Sequence, residues 1–174
     1  PWFIPGSQAK RTLSADDIAA VQYLYLGASC TAPAGPDDAA LLLPMFKVFY
    51  GEHLDARTEV AVGERMGAAA SIDTVLLALS DGQPAGFASG RLIPQIESDR
   101  PHAELSDVFV AQDYRRRGVG RALMRAAEQI ARERGCSRIV LTAGLDTDGA
   151  LAFYRASGYV ECGRAFGRDL GAAR

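Results

Sequence analysis

The sequence predicts a mixed α/β fold in which a mostly antiparallel central sheet is flanked by helices. Three observations carry that expectation. Residues 74–110 hold three short strand-like runs separated by turn signals, which reads as an antiparallel meander. Residues 103–142 follow the order strand, loop, helix, strand, which sets a parallel crossover beside that meander. The chain has 174 residues, 48% of them hydrophobic and 23% charged, enough for a core without disulfides or metals.

Each element has its local reason. Residues 1–13 are polar and turn-rich, with Pro1, Pro5 and Gly6, and show no charged start leading into an apolar stretch, so no signal peptide is read there. The opening Pro in place of Met reads as a fragment or a processed product. Residues 14–26 read as a helix: Ser14 can cap it, Asp16 and Asp17 suit the positive end of its dipole, and Ile18, Val21, Leu24 and Tyr25 recur at helical spacing. Residues 28–37 are small and Pro-rich, a linker or a very weak edge strand. Residues 37–50 form an amphipathic helix with Leu41, Leu42, Met45, Val48 and Phe49 on one side, and 55–66 a shorter one. Thr74 to Leu79 is a strand, and Asp81-Gly82 is a hairpin turn signal. Ala85 to Ile93 and Ala103 to Val110 are strands, separated by the polar loop Pro94 to Pro101. A long helix follows Gly118-Val119-Gly120, burying Val119, Leu123, Ala127, Ile130 and Ala131 and stopping at Gly135. Arg138 to Thr142 is a β-branched buried strand. Ala150 to Ala156 is a short helix ending at Gly158, and Tyr159 to Cys162 is a last strand.

Composition excludes several function classes. A net charge of −2 does not suit a general nucleic-acid binder. No apolar run reaches membrane-spanning length. Cys30, Cys136 and Cys162 stand far apart, neither a disulfide framework nor a zinc site. With only two histidines, His53 and His102, no metal centre is expected.

The chemistry concentrates in the link from the third strand of the meander to the long helix, Val110 to Arg121. Gly118 and Gly120 let an anionic group approach the backbone, and the first helical turn offers unpaired N–H groups at a positive dipole end. Arg115, Arg116, Arg117 and Arg121 add charge. The result is a phosphate or pyrophosphate cradle, the plainer alternative being a solvated basic turn. A dinucleotide fingerprint would need Gly where Leu123 stands, and no Gly-Lys-Ser or Gly-Lys-Thr is present.

Arg115-x-x-Gly118-x-Gly120, after a strand ending in Val110, resembles the Q/R-x-x-G-x-G/A signature of the GNAT acetyltransferase superfamily. Ala150-Leu-Ala-Phe-Tyr154-Arg-Ala-Ser-Gly158-Tyr159 resembles that family's A-x-x-x-Y-x-x-x-G-F/Y segment. The likeness is strong over about 72–165, plausible from about 30, and does not cover 1–26. It implies an acyl-CoA N-acyltransferase fold with a splayed strand pair. It also implies acetyl-CoA as donor, its pyrophosphate on the amides of 115–121 around Val119 and its pantetheine arm against the backbone of Phe109 and Val110. The acetyl group would pass directly to a primary amine of a small molecule or a protein. The residues agree, since no Cys or Ser is set beside a His as an activated nucleophile.

Direct transfer needs a deprotonated amine, a polarised carbonyl and a stabilised thiolate. The resemblance implies Tyr154 as the acid for the thiolate; otherwise it is an aromatic packed on the sheet. Glu104 stands fourteen residues before Gly118, the spacing of the base in the family's lysine-acetylating branch; otherwise it is a solvated strand residue. Asp107 should lie on the face opposite Glu104 and share that of Leu105 and Phe109, as a buried hydrogen-bonded Asp or a substrate contact. Water is a third route for the proton. Where the family often has Asn, this chain has Thr147, a candidate contact to the pantetheine amides. Tyr50, at the end of the 37–50 helix, is a candidate for lining the acceptor pocket, and nearby acids favour a cationic amine.

Residues 13–27 resemble the last helix of matrixin-type metalloprotease domains, but the zinc motif H-E-x-x-H-x-x-G-x-x-H is absent. The expected organisation is an extension over 1–29 and a transferase domain over 30–174. A cytoplasmic location and paired protomers are the corresponding expectations, with no nucleic-acid or membrane partner. The competing readings are a non-catalytic CoA-binding regulatory module and a structural interaction domain.

Overall fold

The computed structural model describes residues 29–51, 54, 57–70, 72–144 and 148–168. They fall into two compact units that divide between Val140 and Leu141. The expected helix over 14–26, with its metalloprotease likeness, and Thr147 lie outside the described residues.

In the first unit, β1 (Ser29–Ala34) leads through a 3-10 turn at Pro36–Asp38 into α1 (Ala39–Tyr50), followed by α2 (Glu59–Ala69). Then come β2 (Asp73–Ser80), β3 (Gln83–Ile93), β4 (His102–Val110) and a 3-10 turn at Gln112–Tyr114. α3 (Val119–Glu133) and β5 (Ile139–Leu141), whose last residue is counted with the second unit, complete the series. The five strands lie in the order β1-β2-β3-β4-β5. The first three pairings are antiparallel. β4 and β5 form the one parallel pair, joined where the Ala103 N–H donates to the Arg138 carbonyl at 2.9 Å.

Helix chemistry explains the boundaries. The 37–50 helix starts later than expected, because Asp38 accepts from the Gly35 N–H at 2.8 Å and holds Pro36–Asp38 as a separate tight turn. Pro44 sits inside α1 on its exposed side, where water can take the carbonyl that a proline cannot bond. The second helix is not 55–66 but 59–69, because the Thr58 hydroxyl caps it by accepting from Ala61 N–H at 3.3 Å. Within the 28–37 stretch, Ser29–Ala34 is a true edge strand, paired along its length with β2.

The sheet carries helices on both faces. On one, Leu42, Met45 and Phe46 of α1 pack on Leu77, Phe87 and Phe109. On the other, Ala131 of α3 packs with Ala103, Leu92 and Ile139. Between α3 and the sheet lies a cavity of about 40 Å³ lined mainly by apolar side chains, among them Leu76, Ala88 and Ala127. Arg100 ties the β3–β4 loop down: its guanidinium donates to the carbonyls of Gly135 at 3.0 Å and Cys136 at 2.8 Å.

One irregularity reorganises β4. Ser89 pairs with Asp107 and the next residue, Gly90, pairs with Leu105, so Ser106 is an extra, exposed residue with no partner on β3. A bulge of this kind shifts the side-chain alternation by one. Asp107 and Phe109 therefore leave the α3 face, where Ala103 and Leu105 remain, and join the α1 face. Glu104 pairs with Arg91, which shares a face with Ser89. Glu104 and Asp107 thus lie on the same face, contrary to strict period-two alternation, and Asp107 shares its face with Phe109 but not with Leu105.

The second unit contains α4 (Asp148–Ala156). It closes where Gly158, at φ +89°, lets the Tyr159 N–H reach the Tyr154 carbonyl at 3.0 Å and its own N–H reach Arg155. Arg155 also forms an ion pair with Glu161. Tyr159 to Cys162 is not a strand: only Val160 is β-branched there, and it is exposed.

Candidate active site

The loop after β4 is shaped by its own side chains. Arg115 donates through Nε to the Val110 carbonyl at 3.1 Å, fastening the loop to the strand it leaves. The Arg117 guanidinium lies 5.8 Å from the centre of the Tyr114 ring, a cation–π arrangement. Arg116 takes a positive φ of 63°. Gly118 then caps α3 at φ +90°, ψ −8°, with no side chain capping the helix and no acid in its first turn. A Cβ at Gly118 would meet nothing within 4 Å. Open space therefore fronts the amides of Val119, Gly120 and Arg121, which precede the bond from Ala122 N–H to the Gly118 carbonyl at 3.0 Å. Val119 itself is buried, so only its backbone is offered. This end of a 15-residue helix, with exposed Arg116 and Arg121 beside it, suits a diphosphate group.

The bulge also decides which backbone groups edge the sheet. The Ala111 N–H donates to Ala85 on β3 at 3.0 Å, so by alternation the Phe109 peptide faces β3 while those of Val108 and Val110 face away. β5, at three residues, is too short to pair with all nine of β4. Of the two residues expected to offer backbone, Val110 has its peptide on the outer edge and Phe109 does not; the Val108 peptide also stands on that edge.

On the α1 face, Asp107 accepts two hydroxyl hydrogen bonds on the same oxygen, Oδ2. Tyr50 donates at 2.7 Å, and Ser89 donates from the paired position on β3. Burial pushes the Tyr50 hydroxyl well above its usual range; the bond to Asp107 and the Asp107 charge add to this, and Ser89 opposes it. Tyr50 therefore stays a donor. Its ring belongs to an aromatic group in which Phe49, 40% exposed, lies 4.9 Å from Tyr50, 5.5 Å from Phe87 and 5.8 Å from Phe109. Glu104, half-buried, pairs with Arg91, whose Nε is 3.1 Å from Asp73. The strand rise sets Glu104 and Asp107 roughly 7 Å apart along the sheet.

In the second unit, Tyr154 is half-buried on α4 with its ring 5.4 Å from Phe153 and 6.2 Å from Tyr159. Burial raises its hydroxyl pKa. Among the described residues no group of three or more His, Cys, Asp or Glu could hold a metal ion, and no helix is long and apolar enough to cross a membrane. Sequence reasoning also missed the bond from the Ser89 hydroxyl to Asp107; its signal is a lone hydroxyl in the otherwise apolar run from Ala85 to Gly90.

Known proteins bear on this arrangement. The acetyltransferase (GNAT) family profile matches residues 41–159. The streptothricin acetyltransferase of Streptomyces lavendulae is 34% identical over 113 residues, 65% of this chain and 49% of that protein. An uncharacterised N-acetyltransferase of Methanocaldococcus jannaschii is 37% identical over 83 residues, 47% of this chain and 36% of that protein. The chain thus spans half or less of the length of these relatives. Among solved structures, an aminoglycoside acetyltransferase from an uncultured soil sample superposes with a TM-score of 0.71 at 22% identity, covering 83% of this chain and 97% of that one. An aminoglycoside N-acetyltransferase in complex with CoA does so with 0.70 at 21%, covering 82% and 95%. These structures share the fold. None of these matches lends support to the metalloprotease likeness of residues 13–27. The family profile covers well over half of the chain, from the third residue of α1 to the turn that closes α4, and so the chain belongs to the acetyltransferase (GNAT) family.

Proposed function

We propose that this chain is an N-acetyltransferase that moves an acetyl group from acetyl-CoA directly to a primary amine. The observation that carries the reading is the start of α3: an uncapped, 15-residue helix entered through Gly118 at φ +90°, with arginines around it. Those amides would hold the donor's pyrophosphate. The outward peptides of Val108 and Val110, the latter with its carbonyl already fastened by Arg115, would take the pantetheine arm. Thr147 is the candidate for a further contact to that arm.

The acceptor amine would lie on the α1 face beside Asp107 and Tyr50. Glu104, on the same face, would remove its proton directly or through water. Tyr154 would protonate the departing thiolate, and its raised pKa keeps it in the protonated form that role requires at neutral pH. The transferase domain is assigned to 30–174, with 1–29 as an extension. A cytoplasmic location goes with a need for acetyl-CoA.

Thermal unfolding with and without acetyl-CoA, with adenosine as control, tests the reading. Donor at about 100 times its Kd stabilises by roughly 2.7 kcal/mol, a rise in Tm of about 5–10 °C. Tyr154→Phe should then lower turnover while keeping that rise. No rise with acetyl-CoA overturns the reading. A rise with no acetylation of any amine in a broad screen would assign the chain to a CoA-binding regulatory module.

A further inference from the structure

Asp107 is unusual in how its two oxygens are used. Both hydroxyl donors, Tyr50 from the end of α1 and Ser89 from β3, converge on Oδ2. Among the described residues no donor reaches Oδ1. Asp107 is half-buried rather than sealed in the core, and Oδ1 is not among the buried polar atoms without a partner in the described residues. Two hydrogen bonds on one oxygen fix the rotation of a carboxylate, because turning the group would break both at once. The remaining oxygen keeps its lone pairs and most of its capacity to accept from a cation. Beside it stands the aromatic group, with Phe49 partly open to solvent. A fixed carboxylate oxygen next to aromatic faces is the donor-poor, electron-rich surface that an alkylammonium group prefers.

We infer that Ser89 is a positioning residue for the acceptor site: together with Tyr50 it locks Asp107 so that Oδ1 receives the ammonium group of a cationic amine. This rests on the transferase reading above and adds to it the acceptor's charge and the residue that aims its anchor. The bulge makes the arrangement possible. Without the extra Ser106, Asp107 would face α3 and neither hydroxyl could meet it. Glu104 is not equivalent, since its cross-strand neighbour is Arg91, a cation, whereas Asp107 faces two neutral hydroxyls.

The test is calorimetric binding of three cationic probes, spermidine, sisomicin and Nα-acetyl-lysine amide, to the full chain without acetyl-CoA. The acetyl-CoA rise in Tm is measured separately on every variant. At least one probe should bind the unaltered chain. Asp107→Asn keeps an acceptor for both hydroxyls but removes the charge, and should weaken that probe more than tenfold. Ser89→Ala should weaken it about tenfold, and Ser89→Thr, which restores the hydroxyl, should recover most of the loss. The acetyl-CoA shift should stay the same throughout. In turnover, Ser89→Ala should raise the KM for the amine and leave kcat and the KM for acetyl-CoA within about twofold. Three results overturn the inference: no probe binds the unaltered chain; Ser89→Ala binds as tightly as the unaltered chain; or Ser89→Ala and Ser89→Thr lose amine and acetyl-CoA binding together, the mark of a purely structural role. A missing acetyl-CoA shift in the unaltered chain would instead count against the transferase reading, which the amine titration does not touch.

Discussion

Gly90 is the position where the β4 bulge can be probed without altering any site residue. It lies on β3 opposite Leu105, one step from the Ser89–Asp107 pair. A Cβ built there would stand 2.5 Å from the Glu104 carbonyl oxygen and 3.1 Å from Leu105 Cδ2. Real Cβ contacts stop near 3.0 Å, so β3 and β4 must part by about 0.5 Å, the difference 3.0 − 2.5. The obstacle is a backbone carbonyl in a paired strand and has no side-chain rotation to retreat into. Overpacking of this kind costs about 1–3 kcal/mol, and the easier ordering of Ala relative to Gly returns about 0.5–1 kcal/mol. Gly90→Ala should therefore lose about 1 kcal/mol, within bounds of about 0 and 2.5 kcal/mol, a fall in Tm of very roughly 2–4 °C for a chain of this length. Thermal unfolding monitored by circular dichroism measures it. The acetyl-CoA shift should survive, because Gly118 and its amides lie beyond the opposite end of β4. A variant that melts together with the unaltered chain would show that the strands are not as close at Gly90 as described, and the bulge argument would fall with it.

Other outcomes follow from the same geometry. Gly118→Ala meets no steric obstacle but forces a side chain into a left-handed conformation, at about 1–2 kcal/mol; it should lower Tm by a few degrees and shrink the acetyl-CoA shift, and an unchanged shift would remove Gly118 from the cradle. Arg100→Ala removes the bonds to the Gly135 and Cys136 carbonyls and should cost about 1–3 kcal/mol, read as a lower denaturant midpoint with acetyl-CoA binding intact. Tyr50 has a folded pKa above its unfolded value. The stability tied to its protonated form is therefore complete below about pH 10 and is lost as pH rises through the folded value. Alkaline unfolding above pH 10 should be less steep in Tyr50→Phe, and identical alkaline limbs would contradict the buried setting of that hydroxyl.

The meander, the long helix and the glycine through which it is entered were legible in the sequence because each is local. Asp81-Gly82 turns the hairpin, Val119, Leu123 and Ala127 mark a helical stripe, and Gly118 marks the cap. What was not legible depends on pairing between distant segments. Nothing in Glu104-Leu-Ser-Asp-Val-Phe-Val110 announces that Ser106 will be left over, since the run alternates acceptably in either register. That single undetected residue misplaced Asp107 relative to Glu104 and Leu105. Ser89 was passed over for the same reason: its importance comes from a partner on another strand. The expected strand at Tyr159 to Cys162 is absent because Val160 is the lone β-branched residue there, and it is exposed rather than packed.

Ser106 has a consequence for how this chain tolerates change. Its side chain points to solvent and it is paired with nothing on β3, so most replacements there should pass unnoticed. Its removal is another matter, because every side chain from Asp107 to Val110 would then exchange one side of the sheet for the other: Phe109 would leave the aromatic group and the carboxylate would turn under α3. The position is counted rather than read. Its identity carries almost no information, its presence carries a great deal, and a survey of substitutions alone would rate as dispensable a residue whose deletion would take apart the Asp107 hydrogen bonds and the aromatic group on the α1 face.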